Sequence, residues 1–333
     1  MRLYRILAAT LVLLAPGCGT SSPKSARQAG SEAGLKSEHR APLPAPPRTE
    51  VVAARFFHGL AVIGGLTADG TPSAQVDRYF FPTDQWNSLP ALPIPIHHAG
   101  AGELDERLYV VGGYTTGALG VWTPTDQVWS LGNEETTWRK EPPLSAPRGA
   151  LAVASLPDAL VAMGGVAGPD MVRTEILELG ATGWKRGPDL TTPREHLAAS
   201  YWNGRVYAIA GRAGSLESNR DSVESWAPGE PAWRPEPKLN HSRGGIGAAT
   251  VKQGGRDFGY AGGLLCVAGG EEPGDRTVAE VECLHNDQWK VVGKLDVPRH
   301  GLAVGAPEGQ LHVIGGGPKP GLYVSDVHET FYF

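Results

Sequence analysis

Leu60-Ala61-Val62-Ile63-Gly64-Gly65 returns as Leu108-Tyr109-Val110-Val111-Gly112-Gly113, Leu160-Val161-Ala162-Met163-Gly164-Gly165, Leu265-Cys266-Val267-Ala268-Gly269-Gly270 and Leu311-His312-Val313-Ile314-Gly315-Gly316. Val206-Tyr207-Ala208-Ile209-Ala210-Gly211 is a sixth, degenerate copy. The mean spacing is about 50 residues, and a period of that size marks a propeller or a solenoid. Outward from these pairs the register can be counted. Trp86, Trp138, Trp184, Trp233 and Trp289 follow five of them, with Leu92, Leu144, Leu190, Leu239 and Leu295 six residues later. Ten residues after each Trp stand Ile96, Arg148, Arg194, Arg243 and Arg299. The step from that position to the next pair is the same for Ile96 to Gly112, Arg148 to Gly164, Arg194 to Ala210 and Arg299 to Gly315. Only the step from Arg243 to Gly269 is longer, which places an insertion around Gln253 to Gly263.

Arg48 stands one such step before Gly64 and so shares the register, with no Trp ahead of it. The last repeat runs from its Gly pair to Phe333 without a Trp-bearing strand. The segment Glu38 to Pro44 is the natural supplier of the missing strand, because a ring closed from both chain ends leaves no open sheet edge. Each repeat reads as four short strands. In the fourth these are Leu197 to Trp202, Val206 to Ile209, Val223 to Trp226 and the stretch around Trp233, with Asn203-Gly204 as a hairpin turn.

A Gly-Gly strand, a strand such as Ser222-Val223-Glu224-Ser225-Trp226, a Trp strand and then Pro-Arg together resemble the kelch repeat, over residues 38–333. The resemblance implies an all-β, six-bladed propeller of four-stranded blades. Residues repeated from blade to blade, Arg48, Arg148, Arg194, Arg243 and Arg299 with the five Trp, read as packing and as ties between blades. In kelch propellers that bind peptides, the residue after the Gly pair and the one or two after Pro-Arg line the partner-binding face. Here the first set is Leu66, Tyr114, Val166, Arg212, Glu271 and Gly317. The second is Thr49-Glu50, His97-His98, Gly149-Ala150, Glu195-His196, Gly244-Gly245 and His300-Gly301. Glu50, His97, His98, Tyr114, Glu195, His196, Arg212, Glu271 and His300 are therefore the candidate ligand-binding face, a polar and titratable mouth.

His97, His98, His196 and His300 could converge across a narrow channel. No His-x-His or Cys-x-x-Cys spacing accompanies them, so no metal and no other cofactor is assigned. Nor do Cys266 and Cys283 match the Cys-Tyr copper site of kelch copper oxidases. Those two cysteines lie across one hairpin, within one residue of facing each other, and read either as a disulfide or as two buried thiols.

The N-terminus reads as an address. Arg2 and Arg5, the apolar run Ile6 to Leu14 and the small residues before Cys18 form an export signal over residues 1–17. Gly17-Cys18 resembles the lipobox of bacterial lipoproteins, which implies acylation of Cys18 and a membrane anchor. Residues 18–37 are rich in Ser, Gly, Ala and Lys without an aromatic residue, a flexible tether. The expected location is the bacterial cell envelope, facing the periplasm or the cell surface. A net charge of −5 gives no attraction for nucleic acid, and 41% hydrophobic residues over 333 positions supply a large core.

Without a Gly-x-Ser-x-Gly or His-Glu-x-x-His motif, the leading expectation is a non-catalytic, envelope-tethered propeller that binds a protein or a glycan through one mouth. The alternative is a carbohydrate enzyme of the sialic-acid mutarotase (epimerase) type, with Glu195, His196 and Arg212 as acid/base candidates; exported six-bladed kelch propellers of that activity motivate it. A third possibility is architectural, with Arg256, Asp257, Phe258 and Tyr260 of the insertion forming an adhesive loop.

Overall fold

The computed structural model describes residues 35–116, 122–166, 171–252 and 263–333. The export signal, Cys18, the tether up to residue 34 and the insertion at 253–262, with its Arg256, Asp257, Phe258 and Tyr260, lie outside the described residues.

Six four-stranded antiparallel sheets follow one another along the chain. Blade 1 comprises Val52–Phe56, Gly59–Ile63, Val76–Phe80 and Gln85–Ser88. Blades 2 to 5 begin at Gly100–Leu104, Ala152–Ser155, Ala198–Trp202 and Gly247–Val251. Blade 6 takes Ala303–Gly305, Gln310–Ile314 and His328–Tyr332 from the C-terminus and Glu38–His39 from the N-terminus. Helix among the described residues is confined to three-residue 3-10 turns such as Phe81–Thr83. The second strand of each blade lies between both neighbouring blades, which is why it reads as an apolar run rather than an alternation; Gly59–Ile63 and Ala159–Met163 are buried throughout.

The expected closure is present. Glu38 and His39 pair with Thr330 and Glu329. Arg40 N–H donates to His328 O at 3.0 Å and Leu43 N–H to Asp326 O at 2.8 Å. Leu35 reaches further, donating to Val292 O at 2.6 Å. The repeated Trp side chains join neighbouring blades: the indoles of Trp138, Trp184, Trp233 and Trp289 donate to the carbonyls of Pro90, Pro142, Pro188 and Pro237 in the connection before their own blade, at 2.8–3.0 Å. Trp86 makes the same bond at 3.0 Å to Ala41, in the N-terminal segment. The junction that closes the ring therefore carries the same indole–carbonyl bond as four of the others.

The Arg residues make a second tie. Arg148 N–H bonds Thr125 O of blade 2, while its guanidinium, buried without solvent exposure, bonds Gly164 O, Arg173 O and Glu175 of blade 3. Arg48 with Asp77, Arg194 with Glu224, and Arg243 with Glu282 repeat this clamp, and Arg299 lies 3.6 Å from Glu329. The acid also holds the connection, as Glu224 accepts from Thr191 N–H at 2.8 Å. Blade 2 lacks both halves. Ile96 replaces the Arg, and Trp129, paired with Val110 as Asp77 is with Val62, replaces the acid. Such coupled loss is expected, since one buried charge without its partner costs more than neither.

Cys266 and Cys283 face each other and form a disulfide, with Cα atoms 4.1 Å apart. The one-residue mismatch between this register and the outer Glu271–Thr277 pairing arises where Gly269-Gly270 faces three residues, Val278, Ala279 and Glu280.

Two outcomes follow for stability. Arg194→Met should cost about 3–5 kcal/mol in urea unfolding, because Glu224 is left buried and unpaired, while the double variant Arg194→Ile/Glu224→Leu should cost clearly less, as blade 2 already shows. A double variant no better than the single one would contradict this reading. Removing the chain up to Pro47 should lower the Tm by roughly 10 °C, since it opens the ring and strips the partner of Trp86; an unchanged Tm would mean that closure contributes nothing.

Candidate functional site

Each blade is entered through the two residues that follow the Arg position. The first forms a backbone bridge with the residue after its own blade's Gly pair: Thr49 with Leu66, His97 with Tyr114, Gly149 with Val166, Glu195 with Arg212, Gly244 with Glu271 and His300 with Gly317. The two series of positions singled out in the sequence are thus two sides of one layer. The second residues, Glu50, His98, Ala150, His196, Gly245 and Gly301, all have φ between 51° and 65°. Their backbones form a belt: His98 N–H to Glu50 O at 3.2 Å, Ala150 to His98 at 2.9 Å, His196 to Ala150 at 3.0 Å, Gly245 to His196 at 3.0 Å and Gly301 to Gly245 at 2.9 Å. Val51 N–H closes it on Gly301 O at 3.2 Å. Left-handed backbone at four non-glycine positions costs about 1–3 kcal/mol each and persists only where surrounding structure enforces it.

On this belt the candidate side chains meet in one chain of contacts. Arg212 Nε donates to Glu195 at 3.1 Å, and its Nη1 donates to Glu271. His300 Nδ1 lies 3.6 Å from Glu271 and 3.3 Å from Glu50, and His98 Nε2 is 3.1 Å from the other oxygen of Glu50. The rings of His98 and His196 stand 4.8 Å apart across Ala150, and His196 Nδ1 lies against Glu195. Acid and base thus alternate around the mouth through blades 4, 5, 6, 1 and 2, while blade 3 offers only Gly149, Ala150 and Val166. Small residues make this possible. A Cβ on Gly301 would come within 2.6 Å of the Glu50 carboxylate, and one on Gly149 within 2.2 Å of the Tyr114 ring.

Burial and charge set the protonation states. Burial pushes the Glu50 carboxyl up, but His98 and the His300 contact outweigh it and hold the group well below the usual carboxylate range. Burial lowers His300, yet Glu50 and Glu271 raise it above an ordinary imidazole. His98 and His196 are pushed down by burial, and His97 falls to about 3 through burial and the adjacent His98. The mouth therefore sets a Glu50 biased to the carboxylate form and a His300 that keeps its proton more readily than an ordinary imidazole beside the His97, His98 and His196 imidazoles, which are biased to the neutral form.

Below the belt a cavity of about 120 Å³ is bounded by Glu50, His98 and His196 and by apolar residues such as Val51 and Leu151. It shares Ala53, Ala101, Val153 and Ala248 with a wider cavity of about 740 Å³ toward the opposite face, lined by Arg55, Glu103, Ser155, Ser200 and Thr250. All nine candidate residues sit on the narrow side. Three features escaped the sequence reading. Trp122, on the hairpin Tyr114–Thr116/Trp122–Pro124, is 44% exposed and packs 4.5 Å from His97. Asn219 Nδ2 donates to Glu271 O at 2.7 Å, and Lys319 O accepts from His300 Nε2 at 2.9 Å. All three lie in loops between the second and third strands, outside the counted register.

No protein-family model matches the sequence. Among curated proteins the chain is similar to the kelch-like protein terF of Aspergillus terreus, 25% identical over 313 residues that cover 86% of this chain and 64% of that protein. It is also similar to beta-scruin of Limulus polyphemus, 29% identical over 30% of this chain and 12% of that protein. Kelch-like protein 34 of Homo sapiens is 34% identical over 27% of this chain and 14% of its own length. The chain thus spans less than two thirds of each of these relatives. The solved structure of YjhT superimposes with a TM-score of 0.73 at 15% identity, covering 87% of this chain and 97% of that one, which shows a shared fold. Six four-stranded blades in the counted register, closed by the N-terminal strand, together with these relatives, identify the chain as a kelch-repeat β-propeller.

Proposed function

We propose that this chain is an exported, membrane-tethered propeller that binds a protein or glycan partner on the face carrying the Glu50–Arg212 mouth. The observation that carries the reading is where exposed apolar surface lies. Of the six large hydrophobic side chains exposed among the described residues, Trp122, Leu322 and Tyr323 all sit on loops that follow a Gly pair. These two loops belong to blades 2 and 6, which flank blade 1, and lie on the side of the narrow mouth. Exposed aromatics around a charged, recessed centre suit a partner that stacks at the rim and hydrogen-bonds at the middle. The Cys266–Cys283 disulfide supports an oxidising compartment, and Cys18 supports a lipid anchor there.

A second reading, a carbohydrate enzyme of the sialic-acid mutarotase type, is favoured by one observation: Glu195 contacts both His196 and Arg212 in a recess open to the mouth. Ring opening needs a base that takes the proton of the anomeric hydroxyl and an acid that protonates the ring oxygen on the same carbon, and this trio supplies both.

The test is site-specific photo-crosslinking in intact envelopes. A photoreactive residue at Trp122 or Tyr323 should yield a discrete adduct, and one at Leu179 or Tyr332, on the opposite face, should not. Equal labelling from both faces would refute a mouth-directed partner. In the same cells the wild type should fractionate with membranes and Cys18→Ser should not. Faster interconversion of sialic-acid anomers by the purified chain, followed by NMR and lost in Glu195→Gln, would transfer the assignment to the enzyme.

A further inference from the structure

We propose that Glu50, His98 and His196 form a binding site for a divalent transition-metal ion at the neck of the channel. Their ligand atoms lie within 4.8 Å of one another, although the residues come from three different blades. Two ligands of a tetrahedral ion with bonds of about 2.0–2.2 Å stand about 3.4 Å apart. His98 Nε2 and Glu50 Oε2 are already 3.1 Å apart, so the set closes on an ion by small side-chain rotations.

Two further features distinguish this trio from a chance meeting of polar groups. The first is the outer support of each imidazole. His196 turns Nδ1 toward the Glu195 carboxylate, which Arg212 holds in place, and His98 Nδ1 meets His97 Nδ1. A metal-binding histidine characteristically directs its second ring nitrogen to a carboxylate, as His196 does toward Glu195, which fixes the ring and leaves the other nitrogen for the ion. The second is rigidity. All three ligands stand on the hydrogen-bonded belt, so their Cα positions are set by the closure of the ring rather than by a mobile loop. The trio also borders the 120 Å³ cavity, which leaves room for water or a ligand oxygen to complete the coordination. Two imidazoles and one carboxylate with open positions suit zinc, cobalt or ferrous iron over magnesium or calcium, which prefer all-oxygen sets.

The site is independent of the partner proposed above. It is tested on the untagged mature chain, stripped with EDTA and titrated with Zn²⁺ and Co²⁺. One equivalent should bind, and bound Co²⁺ should show visible absorption bands of a nitrogen-containing site of low coordination number. Glu50→Gln and His98→Gln should abolish those bands, and Glu195→Gln should weaken binding by about 10–100-fold through loss of the outer support. His39→Ala, in the separate trio of exposed His39 and Asp296 with buried Glu329, should change nothing. Near-UV circular dichroism reports folding of each metal-free variant; if one fails to fold, His196→Gln takes its place. Absence of stoichiometric binding, or binding that survives both Glu50→Gln and His98→Gln, or loss of binding in His39→Ala, would overturn the proposal.

Discussion

Six backbone hydrogen bonds, one between each pair of neighbouring blades, set the bore of this propeller. They run through Glu50, His98, Ala150, His196, Gly245 and Gly301, all in left-handed backbone, and Val51 N–H closes the circle on Gly301 O. The belt brings six chain segments, spread along the sequence from Glu50 to Gly301, to one narrow circle. Every side chain it bears points into a space shared with the others. The Glu50 carboxylate leaves no room for a Cβ at Gly301, and with small residues also at Ala150 and Gly245 the chemistry of the mouth becomes asymmetric although the scaffold is close to sixfold.

The scaffold and the site compete most visibly in blade 2. Elsewhere a buried Arg–carboxylate pair binds each connection to the next blade, but blade 2 has Ile96 and Trp129 in those positions. The same blade supplies His97, His98 and Tyr114 and carries the Tyr114–Pro124 hairpin with Trp122. Departure from the structural repeat and concentration of functional groups coincide, as expected where a local rule is given up at a site. Blade 3 is the converse: it keeps its Arg148–Glu175 clamp and offers the mouth no polar side chain at Gly149, Ala150 or Val166.

The architecture was legible because its determinants are short in sequence. A Gly pair, a Trp, a Leu and an Arg at constant intervals report local geometry, and even the supply of the missing strand by Glu38 and His39 follows from counting. Partners remote in sequence were less accessible. The acids Asp77, Glu175, Glu224, Glu282 and Glu329 follow their Arg at an interval that loop length makes irregular, shortest from Arg148 to Glu175 and longest from Arg243 to Glu282. Their signal was a β-strand residue followed by an acid, as in Val76-Asp77 and Val281-Glu282, visible once the strands are aligned. The mouth positions could be enumerated by slot, but which of them touch depends on the belt, and no spacing tells that Glu50 meets His98 and His300. Trp122 was hidden because its hairpin lies in a loop of variable length. Spacing alone does not decide the cysteine pair, because the hairpin carries one extra residue among Val278, Ala279 and Glu280 opposite Gly269-Gly270.

The central claim is that side chains from separate blades form one electrostatic unit at the belt. Long-range proton–nitrogen correlation spectra of the histidine side chains, compared between the wild type and Glu50→Gln, test it most directly. On loss of the Glu50 charge the imidazole nitrogens of His98 and His300 should shift together, while those of His39 and His312, remote from the mouth, stay in place. Unmoved resonances of His98 and His300 would contradict it.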